Sequence, residues 1–490
     1  MWLRAAAAAP NGTFALTGNV MRRLLLALPL AALLPGALAA QARSSAGASQ
    51  TARIAYTEET LPNGLHEIYS EDHSAPVVAV DIWYHVGSKM EQPGHTGFAH
   101  LFEHMMFKGS KNVPDGQHFA LLEGAGARAG ADINGTTAWD RTNYFEQLPS
   151  NQLELALWLE ADRMGTLADV LTQEKLDNQR EVVKNERRQN VDNQPYGSWL
   201  EKMEGAVYPA GHPYNHPVIG SMEDLSAASV ADVRSFFRTY YAPNNAVLVV
   251  AGDFEPAAAR ALVRKHFAAI PRQAPPPPVR DMTLPPLIGR EQREVVQDAN
   301  APVPVVFVGY RVPPASDPRG EAVNVLATML AGGSSAMYES LVRRQQVATG
   351  VGSFNPELLQ GADVLIVRAS GKPGAPADSL EAALMRELAN PTNGFDQEAL
   401  ERAKAQMRFQ LVDALQRTGG FGGRADMLAQ GYTYFHDANW VNTRLSAIDR
   451  VTLADVQALA RERLVPSNRV VLVYVPNRAP AAHPQTPARP

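Results

Sequence analysis

Hydrophobic and polar positions alternate with a period of two between Val77 and Val86, which predicts a half-buried strand. Before it, Asn63-Gly64 lies between two short strand-like runs and predicts a hairpin turn. Further on, Gly97 to Phe107 has the length and apolar content of a helix, with Gly109 as its natural stop. A strand follows near Ala131–Tyr144, then helices around 151–163 and 172–191. Strands and helices segregate rather than alternating strictly, so the pattern predicts an α+β fold with antiparallel-rich sheets flanked by helices.

The pattern also repeats. SVADVRSFFRTYYAPNNAVLVVAGDF (229–254) and TLADVQALARERLVPSNRVVLVYVPN (452–477) each read as a capped amphipathic helix, a proline turn and an apolar strand. Ala231-Asp232-Val233 matches Ala454-Asp455-Val456 and Pro243 matches Pro466, both at an offset of 223. An equal offset at helix and proline predicts a duplication. Between the copies lies PRQAPPPPVRDMTLPPL (271–287), whose four consecutive prolines favour an extended, semi-rigid spacer. The expected organisation is one domain at 52–270, a linker at 271–290, a second homologous domain at 291–478 and a disordered tail at 479–490.

Composition narrows the chemistry. The formal net charge of −5, without a basic stripe, gives no case for nucleic acid. There are no cysteines, so thiolate metal sites, disulfides and thiol catalysis are excluded; any metal must be held by His, Asp or Glu. From Met21 the chain reads MRRLLLALPLAALLPGALAAQA: a positive n-region, a short apolar run and Ala37-Leu38-Ala39 as a small-x-small cleavage site. Residues 1–42 are therefore expected to be a signal region with its true start at Met21 and cleavage near Ala39. That predicts an exported, periplasmic or secreted protein with no stable membrane anchor after cleavage.

The strongest chemical motif is His100-Leu101-Phe102-Glu103-His104. Histidines four apart on a helix project from one face, one turn apart, so two imidazoles meet one ion at about 2 Å each. Glu103 lies on the flank of that face, where its carboxylate reaches a zinc-bound water of lowered pKa without being a ligand. His212 and His216, beside prolines, read as packing or turn residues. His66, His73 and His85 lie in strand or turn sequence with no paired ligand.

This inverted H-x-x-E-H motif resembles the signature of the pitrilysin family of zinc metallopeptidases, whose members include mitochondrial processing peptidase-like bacterial proteins. Further matches follow in order. GADINGTTAWDRTNYF (130–145) looks like the family's edge strand, REVVKNE (180–186) resembles its third-ligand helix, and HPYNHPVIG (212–220) is similar to the loop before its closing helix. The resemblance covers most of residues 52–478. It implies two homologous, duplicated α+β domains enclosing a chamber. It also implies one zinc ion per chain, held by His100, His104 and Glu186, with Glu103 as the general base. Counting the family's usual spacing from His104 lands instead on Glu181, while the local pattern Arg180-x-Val182-Val183-x-x-Glu186 selects Glu186. Gln179 stands where several relatives carry a second, supporting glutamate. The implied activity is endopeptidase cleavage of unfolded peptides or small proteins, with peptide substrates pairing along an edge strand at Asn134, Gly135 and Thr136.

Aligned on the motif, NVLATMLAGGS (324–334) puts Asn324, Ala327 and Thr328 where His100, Glu103 and His104 stand, so the second domain keeps the helix and loses the ligands. Its AGGSS reads as a helix end and a turn. Family members often hold substrate with an Arg/Tyr pair from a second half. No convincing pair is recognisable in GADVLIVRASGKPG (361–374) or the helix after it; Arg368 is an isolated candidate that reads more as an ordinary surface arginine. The expected partner is therefore a homologous subunit supplying that pair, or a homodimer. A competing reading, a non-catalytic or partner-dependent structural subunit of such a complex, goes with a broken metal motif, and this one is intact.

Overall fold

The computed structural model describes residues 53–477, so the expected signal region and the expected tail lie outside the described residues. Two mixed sheets organise the described chain. The first contains β1 (Thr57–Thr60), β2 (His66–Glu71), β3 (Val77–Tyr84), β4 (Ile133–Thr137), β5 (Thr142–Pro149) and β6 (Ala246–Gly252), in the order β1-β2-β6-β3-β5-β4. The second contains β7 (Gln292–Asp298), β8 (Val305–Val312), β9 (Ala348–Phe354), β10 (Asp363–Gly371) and β11 (Arg469–Pro476), in the order β7-β11-β8-β10-β9. After β1 the two orders are the same. The one parallel pairing falls at the same place in each, β2 with β6 and β7 with β11, and the other neighbours are antiparallel. The duplication read from the sequence is thus a duplication of topology.

In the first half the helices used below are α1 (Phe98–Met105), α2 (Gln117–Gly124), α3 (Leu153–Thr166), α4 (Gln173–Arg187), α5 (Trp199–Val207), α6 (Met222–Ala227), α7 (Val230–Tyr240) and α8 (Pro256–Phe267). In the second they are α9 (Gly320–Ala331), α10 (Ala377–Leu388), α11 (Gln397–Gln416), α12 (Arg424–Phe435), α13 (Trp440–Arg450) and α14 (Leu453–Arg463). The repeated helices α7 and α14 open identically. Ser229 and Thr452 each accept from the N–H three residues on, and Asp232 and Asp455 reach back to the cap N–H, completing a capping box.

The central strands of both sheets are buried on both faces, and the way this is done ties the halves together. Ile82, Leu248 and Val250 of the first sheet pack with Leu101, Leu157 and Val263 of their own half. On its other face, Ala79, Trp83 and Val249 pack against Leu411, Leu428 and Leu445, from α11, α12 and α13 of the second half. In the second sheet, Val306, Val308 and Val473 face their own α9, α10 and α14. Its opposite face, with Phe307, Ile366 and Leu472, receives Met203 and Val207 of α5 from the first half. β3 is therefore not half-buried as its alternation suggested. Seven of its eight residues are buried, because helices from the other end of the chain cover its second face.

Two other elements differ from expectation, and the linker gains contacts the sequence did not indicate. The strand expected near Ala131–Tyr144 is a hairpin, β4 and β5, turning at residues 138–141. The motif helix stops at Met105 and Gly109 adopts φ +83° beyond it. The proline-rich segment is strapped to both halves: Arg280 donates to the carbonyls of Glu91 and Gly211, and the carbonyls of Pro285 and Leu287 accept from Arg311.

Candidate metal centre

The start of α1 is held by backbone contacts that only glycine permits. Gly97 has φ +87° and Gly220 φ +75°; a Cβ on Gly220 would lie 2.4 Å from the Gly97 Cα, and one on Gly97 would lie 2.6 Å from the Ile219 carbonyl oxygen. Glu91, 2% exposed, accepts from the N–H groups of Gly97 and Ala99, both at 2.8 Å, and so satisfies donors the first turn leaves free. Burial pushes the Glu91 carboxyl well above its ordinary range, against the backbone donors that favour its charge.

On α1, Phe98, Leu101, Phe102 and Met105 are buried, which turns the intermediate-exposure residues His100, Glu103 and His104 along the other side. The two imidazole centroids are 4.8 Å apart. α4, capped by Thr172, buries Leu176, Gln179 and Val183, and Glu186 continues that stripe one turn later. One Glu186 carboxylate oxygen lies 3.1 Å from His104 Nε2 and 3.7 Å from His100 Nε2. Glu181 points elsewhere, to Lys184 at 3.1 Å, with its side chain 59% exposed.

These donors suit zinc. A tetrahedral ion with bonds of about 2.0–2.1 Å keeps its ligand atoms roughly 3.3 Å apart, and here the three ligand atoms lie within 4.8 Å of one another. His100 Nδ1 is buried without an acceptor. Burial and the adjacent His104 lower the His100 pKa, which favours the neutral imidazole a metal needs. Burial also works against charge on His104 and Glu186, but their mutual hydrogen bond prevails: His104 is raised and Glu186 is held down to about 2. Gln179 is buried on the same face of α4 and donates to Asn178 Oδ1 at 2.8 Å.

Glu103 sits beside this set. Thr137, at the end of β4, donates its hydroxyl to Glu103 Oε2 at 2.7 Å, and the space above Gly135 is so tight that a Cβ there would come 3.1 Å from Glu103 Cγ. The sequence reading missed Thr137; its place, three residues after Asn134 on the strand beside the motif, was the available signal. β4 is the edge of the first sheet. Asn134 Nδ2 donates to the Gly130 carbonyl and its Oδ1 accepts from the Gly135 N–H. Thr136 is buried, its hydroxyl bonded to Asn143, so its side chain faces inward. The Ile133 N–H and C=O are already paired, to Arg128 and Gly130.

Elsewhere, His212 stacks on Tyr208 at 5.1 Å and His66 on Tyr432 at 3.5 Å, both packing roles. His118, which the sequence did not single out, joins Glu146 and Glu160 in a second convergent donor set, but the Arg163 guanidinium already bridges the two carboxylates, making it a buried ion-pair cluster. In the second half, Asn324 donates to Glu321 and Glu357, and no third donor set converges among the described residues.

Two histidines one helical turn apart, a glutamate from a second helix and an adjacent carboxylate, carried on a duplicated α+β fold, define a zinc metallopeptidase class. Comparison with known proteins gives the family. Residues 67–217 match the model for insulinase (peptidase family M16), and residues 227–407 match the peptidase M16 inactive domain. The zinc protease PqqE of Helicobacter pylori is 30% identical over 379 residues, 76% of this chain and 83% of that protein. The probable zinc protease PqqL of Escherichia coli is 30% identical over 264 residues, 51% of this chain and 26% of that protein. A crystal structure of a protease from Helicobacter pylori matches with a TM-score of 0.79 at 26% identity, covering 86% of this chain and all (100%) of the other. The periplasmic protease PqqL of Escherichia coli shares the fold at a TM-score of 0.68 and 20% identity, over 86% of this chain and 48% of its own. The chain belongs to peptidase family M16, the pitrilysin family of zinc metallopeptidases.

Proposed function

We propose that this protein is an exported, zinc-dependent endopeptidase that hydrolyses unfolded peptides or small proteins. The observation that carries the reading is the meeting of His100, His104 and Glu186 with Glu103 beside them. The two histidine Nε2 atoms and a Glu186 oxygen would hold the ion. When bound, zinc supplies Lewis acidity, which activates water at neutral pH and polarises a carbonyl.

The chain's own residues do the rest. Glu103 takes the proton that water loses on attacking the scissile carbonyl carbon and passes it to the departing amine. The Thr137 hydroxyl occupies Oε2, which leaves Oε1 of Glu103 to hold that proton. An extended peptide laid along β4 beyond Ile133, at Asn134, Gly135 and Thr136, would gain main-chain hydrogen bonds with little sequence preference once the Asn134 side chain releases the Gly135 N–H. The location of PqqL in the periplasm and the leader-like sequence at 21–42 support export; no helix among the described residues is long and apolar enough to cross a membrane.

The test separates metal binding from chemistry. Glu103→Gln should retain zinc and lose nearly all turnover of a quenched fluorescent peptide, because an amide does not accept the proton. An active Glu103→Gln protein would sink the assignment. The same assay on the unaltered chain addresses assembly. A homologous subunit supplying an Arg/Tyr pair completes the site in this reading, so the isolated zinc-replete chain should be weakly active. Full activity as a monomer or homodimer would remove the partner.

A further inference from the structure

Arg368 is not the surface residue its sequence suggested. It lies on β10 directly opposite Phe307 of β8 and Gly352 of β9. Its guanidinium stands 5.6 Å from the Phe307 ring and 5.9 Å from that of Tyr196, a residue of the first half. Among the described residues it makes no ion pair or hydrogen bond, and its Nε is buried without an acceptor. Burial pulls its pKa below the ordinary arginine value, and no carboxylate acts on it. Other buried guanidiniums have acceptors for at least their terminal nitrogens: Arg444 pairs with Glu321 and Glu357, and Arg311, whose Nε is also unpaired, donates to the carbonyls of Val207, Pro285 and Leu287. Aromatic faces compensate a cation only in part and accept none of its five N–H groups in the plane. A half-buried guanidinium without a carboxylate is a cost the fold bears.

The space beside it is open. A Cβ on Gly352, directly across the strand pair, would meet nothing within 4 Å, and the same holds for Gly350. The neighbouring wall is aromatic: Trp199 stacks on Phe307 at 4.8 Å and meets Phe354 edge-on at 6.0 Å. A planar fork of donors, an open glycine floor and apolar sides fit a carboxylate carried on a largely apolar body.

We propose that Arg368 anchors a carboxylate of the bound peptide, either a chain-terminal carboxylate or an acidic side chain, giving the enzyme a preference that main-chain pairing on β4 does not provide. The assignment rests on the peptidase reading and adds a substrate class to it.

Binding, measured apart from turnover, tests it. In full-length Glu103→Gln protein, peptide affinity is followed by tryptophan fluorescence, with Trp199 beside the site, and by calorimetry. Three versions of one peptide are compared: free C-terminus, C-terminal amide, and amide with one internal Gln→Glu change. The free acid or the glutamate peptide should bind about tenfold more tightly than the plain amide, as expected for a charge-assisted bidentate pair; whichever does so identifies the carboxylate. Arg368→Gln in the same background should bring that peptide to the level of the amide. Arg368→Lys, which keeps the charge without the fork, should restore only part of the preference. Because the guanidinium has no hydrogen bond or carboxylate to lose, only two long aromatic contacts, Arg368→Gln should melt close to or above the parent's Tm, whereas loss of an arginine held in a structural ion pair would lower it. Equal affinities for all three peptides, absence of binding, or a preference that survives Arg368→Gln would overturn the anchor. Hydrolysis of the amidated peptide by the Glu103 form judges the peptidase reading separately.

Discussion

The choice between Glu181 and Glu186 turns on one helical face. Leu176, Gln179 and Val183 are the buried residues of α4, and Glu186 extends their stripe towards α1, whereas Glu181 is paired with Lys184 on the outer side. Glu186→Gln should therefore weaken zinc binding strongly, by more than the roughly 10–100-fold that loss of an outer hydrogen-bond partner costs. Glu181→Gln should leave it unchanged. Competition with a chromogenic chelator measures both, and the reverse order would move the third ligand to Glu181.

At the scale of elements, the side of α1 that carries His100, Glu103 and His104 is only as well placed as the helix start. Gly97 and Gly220 touch backbone to backbone, Glu91 caps the first turn, and Arg187 donates to the Gly220 carbonyl from the far end of α4. A methyl at Gly220 has to displace Gly97 and pays a positive-φ penalty of about 1 kcal/mol as well. Gly220→Ala should thus lower both Tm and zinc affinity. Ser229→Ala, which removes the α7 capping box, should also cost about 1 kcal/mol but leave zinc affinity alone. If Gly220→Ala binds zinc normally, the loop at 212–220 does not position the site.

Over the whole molecule, each sheet takes one of its two covers from the other half: α11 to α13 on the first, α5 on the second. The buried Lys89–Asp140 pair, at 2.6 Å, adds polar links: Asp140 accepts from the Leu359 N–H and Lys89 reaches Gln360, both across the halves. Removing either half would expose an apolar sheet face of the other, so the described region should unfold in one cooperative transition. Calorimetry checks this, with calorimetric and van't Hoff enthalpies expected to agree. Two resolved transitions, one of them shifted by zinc and the other not, would show that the halves are independent.

The spacing of His100, Glu103 and His104 determines by itself that three functional groups share one side of a short helix, because helical geometry is local. The equal offsets at 229 and 452 likewise revealed the duplication, since capping boxes and proline turns are written in contiguous residues. Glu186 was legible only as a pattern, and Thr137 only by its place on the strand, because what recommends each is a contact across a long stretch of chain. Burial of β3 and the setting of Arg368 were misread for the same reason. Alternation in Val77–Val86 describes one covered face, and the helices that cover the other begin more than three hundred residues later. Arg368 looks like a surface charge until Tyr196, from the other half, is folded against it. Local periodicity and capping are fixed by neighbours in sequence; which charges end up buried, paired or waiting for a ligand is fixed by neighbours in space.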